Sequence, residues 1–177
     1  GAADIISEFG FKIEDVNKAL FDTISAGIPA GDAIDFLRKA SVLAIGGVTD
    51  LKVAVDGITS VMNAYGLEAD KTTDISDKLF SVIKLGKTTG QELSAVIGQS
   101  IPLAANMGIS FDELVASMAI MTIQGVKASA ATTQFNAIVT GFLKPTEQLK
   151  SSLKEIGFAS IGKVLAVIFA ILCIGAS

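Results

Sequence analysis

The chain has no histidine and no tryptophan, a single arginine (Arg38) and a single cysteine (Cys173). Each scarcity excludes a class of chemistry. Without histidine there is no Ser-His triad, and the commonest general base and commonest side-chain metal ligand are both missing. One cysteine closes no internal disulfide and builds no thiolate metal cluster. Cys173 stands in the most apolar stretch, where a free thiol packs as a small hydrophobe. Basic residues number 14 against 18 acidic ones, the net charge is −4, and the lysines are dispersed. The clustered cations that displace counterions from phosphate are therefore lacking, and direct nucleic-acid binding is not expected. Aromatics are also few, ten Phe and one Tyr among 177 residues, although half of the chain is apolar. Ala, Ile, Leu and Val carry the packing, which favours close helix-on-helix contact over a β-sandwich.

What is present is helical periodicity. Leu51, Val55, Ile58, Met62 and Tyr65 step by three or four residues. So do Ala128, Ala131, Phe135, Ile138 and Phe142, then Phe111, Leu114, Met118 and Met121, then Ile13, Val16, Leu20 and Ile24. Each set lines one helical face. No segment of similar length alternates with period two. Helix ends are written alongside. Ser110-Phe-Asp-Glu113 has capping-box spacing, as does Thr89-Gly-Gln-Glu92. Pro29 and Thr49-Asp50 open two more helices. Ala26-Gly27, Tyr65-Gly66 and Met107-Gly108 read as stops, with glycine supplying a left-handed cap. The spacing predicts helices over 13–26, 29–45, 50–65, 70–85, 90–107, 110–124, 129–143 and 146–156. Pro102 should break or kink the fifth, and Pro145 should start the eighth.

Gly27, Gly47, Gly66, Gly86, Gly108 and Gly125 are separated by 20, 19, 20, 22 and 17 residues. Each interval holds one short helix and a connection, so the expected fold is all-α, an array or bundle of short antiparallel helical hairpins with a period of about 40 residues. Aligning Ile13–Val16 with Phe111–Leu114 gives a gapless self-match at an offset of 98. Duplication and the chance likeness of one helix-turn-helix to another both account for it. Residues 1–158 form the expected helical domain, and 159–177 a separate apolar segment. The chain opens on Gly1-Ala2-Ala3, with no initiator Met and no signal pattern, as a piece of something longer would.

The remaining candidates for chemistry resolve into structure. Glu14-Asp15 and Asp112-Glu113 are paired carboxylates, but both pairs fall in first helical turns, where acids suit the helix dipole. Gly86-Lys87-Thr88 matches the end of a phosphate-binding loop. The motif needs a further glycine where Ser81 stands and a strand where 74–85 reads as helix, so Gly86 is a helix cap and Lys84 and Lys87 favour that helix end. Met62, Met107, Met118 and Met121 fall on core stripes or beside a cap, and core packing explains them better than a binding groove. No catalytic, cofactor-binding or metal-binding residue is assigned, and no cofactor is expected.

A more specific pattern runs through the same segments. Gly47-Val-Thr-Asp50, Ala54-Val-Asp-Gly57, Asn63-Ala-Tyr-Gly66, Ser76-Asp-Lys-Leu-Phe80 and Lys84-Leu-Gly-Lys-Thr-Thr89 follow one another in order. Gly108-Ile-Ser-Phe-Asp-Glu-Leu114, Gln124-Gly125, Leu143-Lys-Pro145 and Leu153-Lys-Glu-Ile-Gly157 continue them, and Ala26-Gly-Ile-Pro29 and Ala33–Leu37 precede them. Over about residues 10–158 this resembles the phage tail tape measure protein family. The resemblance implies a non-enzymatic structural role in a phage or prophage tail, in assembly, length determination and genome delivery. It implies tail tube and tail assembly proteins as partners, self-association into a homo-oligomer, and a location in the virion tail and, during assembly, the host bacterial cytoplasm. The resemblance ends near Gly157, and nothing in 161–177 continues it. A measuring rod would be a long continuous helix, which a glycine every twenty residues forbids, so the resemblance is to a globular helical part of such a protein.

The second reading starts from the end of the chain. Val164–Ser177 carries no charge over fourteen residues, and as a helix would span about 21 Å against roughly 30 Å of bilayer hydrocarbon. Either it is a buried core helix, or residues 161–177 begin a host-membrane-inserting segment and the chain is a membrane-active protein of toxin or holin type.

Overall fold

A computed structural model describes residues 1–86, 88–143, 151 and 155. Among the described residues there are eight α-helices and no strand: α1 (Ala2–Phe9), α2 (Ile13–Ser25), α3 (Ala33–Gly46), α4 (Leu51–Tyr65), α5 (Thr72–Leu85), α6 (Gly90–Asn106), α7 (Phe111–Ile123) and α8 (Ala128–Leu143), with a short 3-10 turn at Ala69–Lys71 before α5. The all-α class is as the periodicity requires. The predicted eighth helix at 146–156 apart from residues 151 and 155, its expected start at Pro145, Lys87, Cys173 and the apolar segment 161–177 lie outside the described residues. None of the described helices is long and apolar enough to cross a membrane.

The helices form two packed rows. Helices α2, α4, α6 and α8 pack side by side in one row, and α1, α3, α5 and α7 in the other, with each helix also touching its chain neighbours across the rows. Helices of the first row from α2 onward begin at residues 13, 51, 90 and 128, and those of the second from α3 onward at 33, 72 and 111. Like-placed helices thus recur every 38 or 39 residues. The 98-residue self-match sets α2 of one row on α7 of the other, so it pairs helix ends of similar design across the rows.

Close approach explains the composition. At Gly57 of α4 an added Cβ would lie 3.5 Å from Ser94 Oγ of α6. Ala54, Ala40, Ala104 and Ala131 are fully or nearly fully buried between helices. Around them pack Phe36, Leu37, Ile58, Ile75, Leu93, Ile97, Ile101, Leu114 and Phe135, each burial worth about 1.5–3 kcal/mol before entropy is charged. The α4 stripe is buried from Leu51 to Met62 and the α7 stripe from Phe111 to Met118, as the pattern predicted. Two stripes are rotated from expectation. In α2 the buried line is Val16, Ala19 and Thr23, leaving Ile13 and Ile24 exposed; in α8 it runs through Val139, leaving Ile138 half exposed. Both helices lie at ends of the described first row, where one flank has no described neighbour.

Two proline expectations are corrected. Pro29 does not open α3: residues 29–32 form a turn closed by the Asp32 N–H donating to the Pro29 carbonyl, and the helix starts at Ala33. Of the break or kink expected at Pro102, the break does not occur, since α6 runs on to Asn106. Pro102 and Gly98 four residues earlier are both exposed, so the carbonyl that loses its donor faces solvent. Helix α1 escaped the periodicity, its eight residues burying only Ile5 completely.

Candidate functional site

The residues singled out for chemistry do not converge. Glu14 and Asp15 sit in the first turn of α2, Asp112 and Glu113 in that of α7. Glu113 completes the capping box, its carboxylate accepting from Ser110 N–H at 2.8 Å while its own N–H donates to Ser110 Oγ at 3.2 Å. Asp112 pairs with Lys78 at 2.7 Å, and Lys78 also reaches Asp74 at 2.8 Å. Burial pulls the Lys78 pKa down, but its bonds to Asp112 and Asp74 outweigh this and leave it raised. At the other predicted cap, Thr89 Oγ1 accepts from Glu92 N–H at 3.1 Å, while the Glu92 carboxylate turns to the Thr88 hydroxyl at 3.2 Å. Met62 and Met118 are buried and Met107 and Met121 half-buried, all packed in the core.

Five buried hydroxyls are satisfied within their own helices. Thr23, Ser41, Thr59, Ser117 and Thr122 each donate to the carbonyl four residues back at 2.7–2.8 Å. Ser100 donates to Asn136 Oδ1 of α8 at 2.8 Å. Among the described residues the buried side-chain atom left without a hydrogen bond is Asp22 Oδ2, 3.8 Å from Lys52 Nζ. No group of three acids there is placed to hold a metal ion. The described helices present an extended surface.

That surface has two unlike edges, because the connections alternate between the two ends of the rows. One edge carries the α2–α3, α4–α5 and α6–α7 turns. There Gly27, Gly66 and Gly108 are left-handed, with φ of 96°, 63° and 71°. The next residue closes each cap: Ile28, Leu67 and Ile109 N–H donate to the carbonyls of Thr23, Met62 and Ala104 at 3.3, 2.9 and 2.9 Å. No atom lies within 4 Å of a Cβ at any of the three glycines. The left-handed stops read from sequence are thus in place. Two clefts open along this edge. One of about 700 Å³ has Ile28, Phe36, Met62 and Leu67 among its lining, with Asp32 and Glu68 at its rim; one of about 590 Å³ lies between Tyr65, Leu67 and Phe111. Tyr65 ties the edge together, its hydroxyl donating to Ile109 O at 3.1 Å. Burial, then the Glu113 charge, push its pKa up to about 12.

The opposite edge carries the α1–α2, α3–α4, α5–α6 and α7–α8 turns. Gly10, with φ 73°, and Gly125, with φ 88°, cap α1 and α7 in the same left-handed way. The α3–α4 and α5–α6 turns stand apart. Gly47 and Gly86 both have φ −85° and end their helices without a left-handed residue of their own. Their lack of a side chain serves contact instead. A Cβ on Gly86 would stand 2.0 Å from Thr122 Oγ1 of α7; one on Gly90, 2.7 Å from Gly47 O; one on Gly46, 2.9 Å from the Phe80 ring. Gly90 N–H, at the start of α6, donates to Gly47 O at 2.9 Å, and Thr49 Oγ1 donates to Gln91 Oε1 at 3.1 Å. The left-handed position is displaced onto Val48, φ 50°, the one positive-φ residue other than glycine among the described residues. For a β-branched residue this conformation costs about 1–2 kcal/mol. Sequence reading set Gly47 and Gly86 in the same series as the other glycines and passed over Val48 and Gly90. The doublet Gly46-Gly47 was the available signal, since one glycine suffices for a cap.

The described residues thus form two packed rows of helices whose reactive side chains do not converge. The sequence matches the family of phage-related minor tail proteins over residues 2–167, and the chain belongs to that family. Among its relatives, the probable tape measure protein of Clostridium phage phiCD119 is 34% identical over 134 residues, covering 73% of this chain. The tape measure protein of Pneumococcus phage Dp-1 is 24% identical over 156 residues, covering 88% of it. The chain spans 14% of the length of each of these relatives. No solved structure matches it.

Proposed function

We propose that this chain is a folded helical portion of a tape measure protein, a structural component of a phage or prophage tail that acts in assembly and length determination. The observation that carries this is the match of two tape measure proteins to most of the chain. On this reading the partners are tail tube and tail assembly proteins, the chain self-associates, and it resides in the virion tail after assembly in the host cytoplasm. Residues 1–158 act as the folded unit and 159–177 as a distinct apolar segment. The role is architectural, in keeping with cap pairs, core methionines and back-bonded hydroxyls that all serve the fold. A membrane-active role draws no support from the described helices, none of which is a candidate span.

No described helix is longer than 17 residues, so this portion contributes to the tail as a packed body and not as a rod. Deleting codons 13–143 in the phage and measuring tails by electron microscopy tests this. The expected result is failed assembly or tails of irregular length. Tails shortened by about 1.5 Å per deleted residue would make this segment part of the rod. Normal tails with full infectivity would overturn the proposal.

A further inference from the structure

Val48 is an expensive choice where its neighbours in the fold use glycine. The α3 end has the bonding of the other caps moved one residue along: Thr49 N–H donates to Ala44 O at 2.9 Å and Val48 N–H to Ile45 O at 3.3 Å. The shift follows from Gly47, which is held at negative φ between Ile83, 3.1 Å from where its Cβ would be, and the Gly90 N–H that its carbonyl accepts. Valine then occupies the left-handed position with its side chain 80% exposed, so packing returns little for the strain.

We propose that the Gly46–Asp50 turn is a strained latch. Closed, it joins the end of α3 to the first turn of α6 through the Gly90–Gly47 bond and the Thr49–Gln91 bond. Open, Val48 relaxes to an ordinary backbone conformation, the Gly47 carbonyl and the Gly90 N–H, buried in the closed turn, become accessible to water, and both rows stay packed. Strain at Val48 favours only the open form. This edge therefore releases locally and reversibly, while the opposite edge, with unstrained glycine caps, opens only with the core.

Hydrogen exchange on the full chain, followed residue by residue, tests the latch. Once intrinsic rates are allowed for, Thr49 and Gly90 amides are expected to exchange about tenfold or more faster than those of Leu67 and Ile109, which make the same kind of cap bond at relaxed turns. Val48→Gly should slow Thr49 and Gly90 together by about fivefold and leave Leu67 and the core amide Ile58 unchanged. Val48→Asn, which tolerates the left-handed region without adding glycine's freedom, should slow them in the same direction. Thr49 and Gly90 exchanging no faster than Leu67 would overturn the latch. So would a change at Ile58 equal to that at Thr49, or opposite effects of the two variants.

Discussion

The two edges of the array solve the same problem, ending a helix and turning the chain back, by different means. On the edge with Gly27, Gly66 and Gly108, glycine is used for its backbone: positive φ, open space where a side chain would be, and a cap bond from the following apolar residue. At the α3–α4 and α5–α6 turns of the other edge, with Gly46, Gly47, Gly86 and Gly90, glycine is used for its missing side chain: helix ends press on one another, and a backbone bond crosses from one turn to the next, while Gly10 and Gly125 on that edge remain left-handed caps. The same residue at similar intervals thus does two jobs. The sequence interval alone does not say which, because it records where helices end and not what lies against the end.

This contrast makes graded predictions. Gly86→Ala should have the largest effect, a loss of about 3 kcal/mol in chemical denaturation, because the new methyl group meets the Thr122 side chain and the Val82 carbonyl. Pairing it with Thr122→Ala should recover part of that loss. Gly66→Ala should cost less, about 1 kcal/mol, since the methyl group meets nothing and only the left-handed backbone resists it. If the two losses are equal, the edges are not different in kind.

The smallest effect concerns the side-chain tie at the capped edge. The folded-state pKa of Tyr65 is raised to about 12, above the ordinary value of 10.0. Its contribution is therefore full below pH 10 and is lost as pH rises through 12. Tyr65→Phe should flatten this part of the stability profile relative to the parent, which lysine titration affects equally in both. Because the ring is only half-buried, the difference should be well under the full value of the shift. Identical profiles for the two proteins would remove Tyr65 as a tie between turns.

Much of this architecture could be read in advance. Helices α2 and α4–α8 lie within a few residues of their expected ranges, because apolar spacing, the Ser110–Glu113 box and the glycine stops agree with one another. Departures fall where local rules met non-local contacts. Pro29 has the identity of a helix opener but closes a turn, Pro102 survives inside α6 on an exposed face, and Ile13, Ile24 and Ile138 lie on flanks that no described helix covers. Of the two edges, the capped one was legible from Ala26-Gly27, Tyr65-Gly66 and Met107-Gly108. The clamped one was not, because the partners of Gly47 and Gly86 are Gly90 and Thr122, far along the chain.

Asparagine provides the most direct test of the central claim, since it accepts the left-handed conformation yet carries a side chain. The measurement is the change in melting temperature for Gly66→Asn and Gly86→Asn in the same background. The account predicts a shift of no more than a degree or two for the first and a loss of about 6–12 °C or failure to fold for the second. Similar shifts at both positions, or a larger one at Gly66, would contradict it.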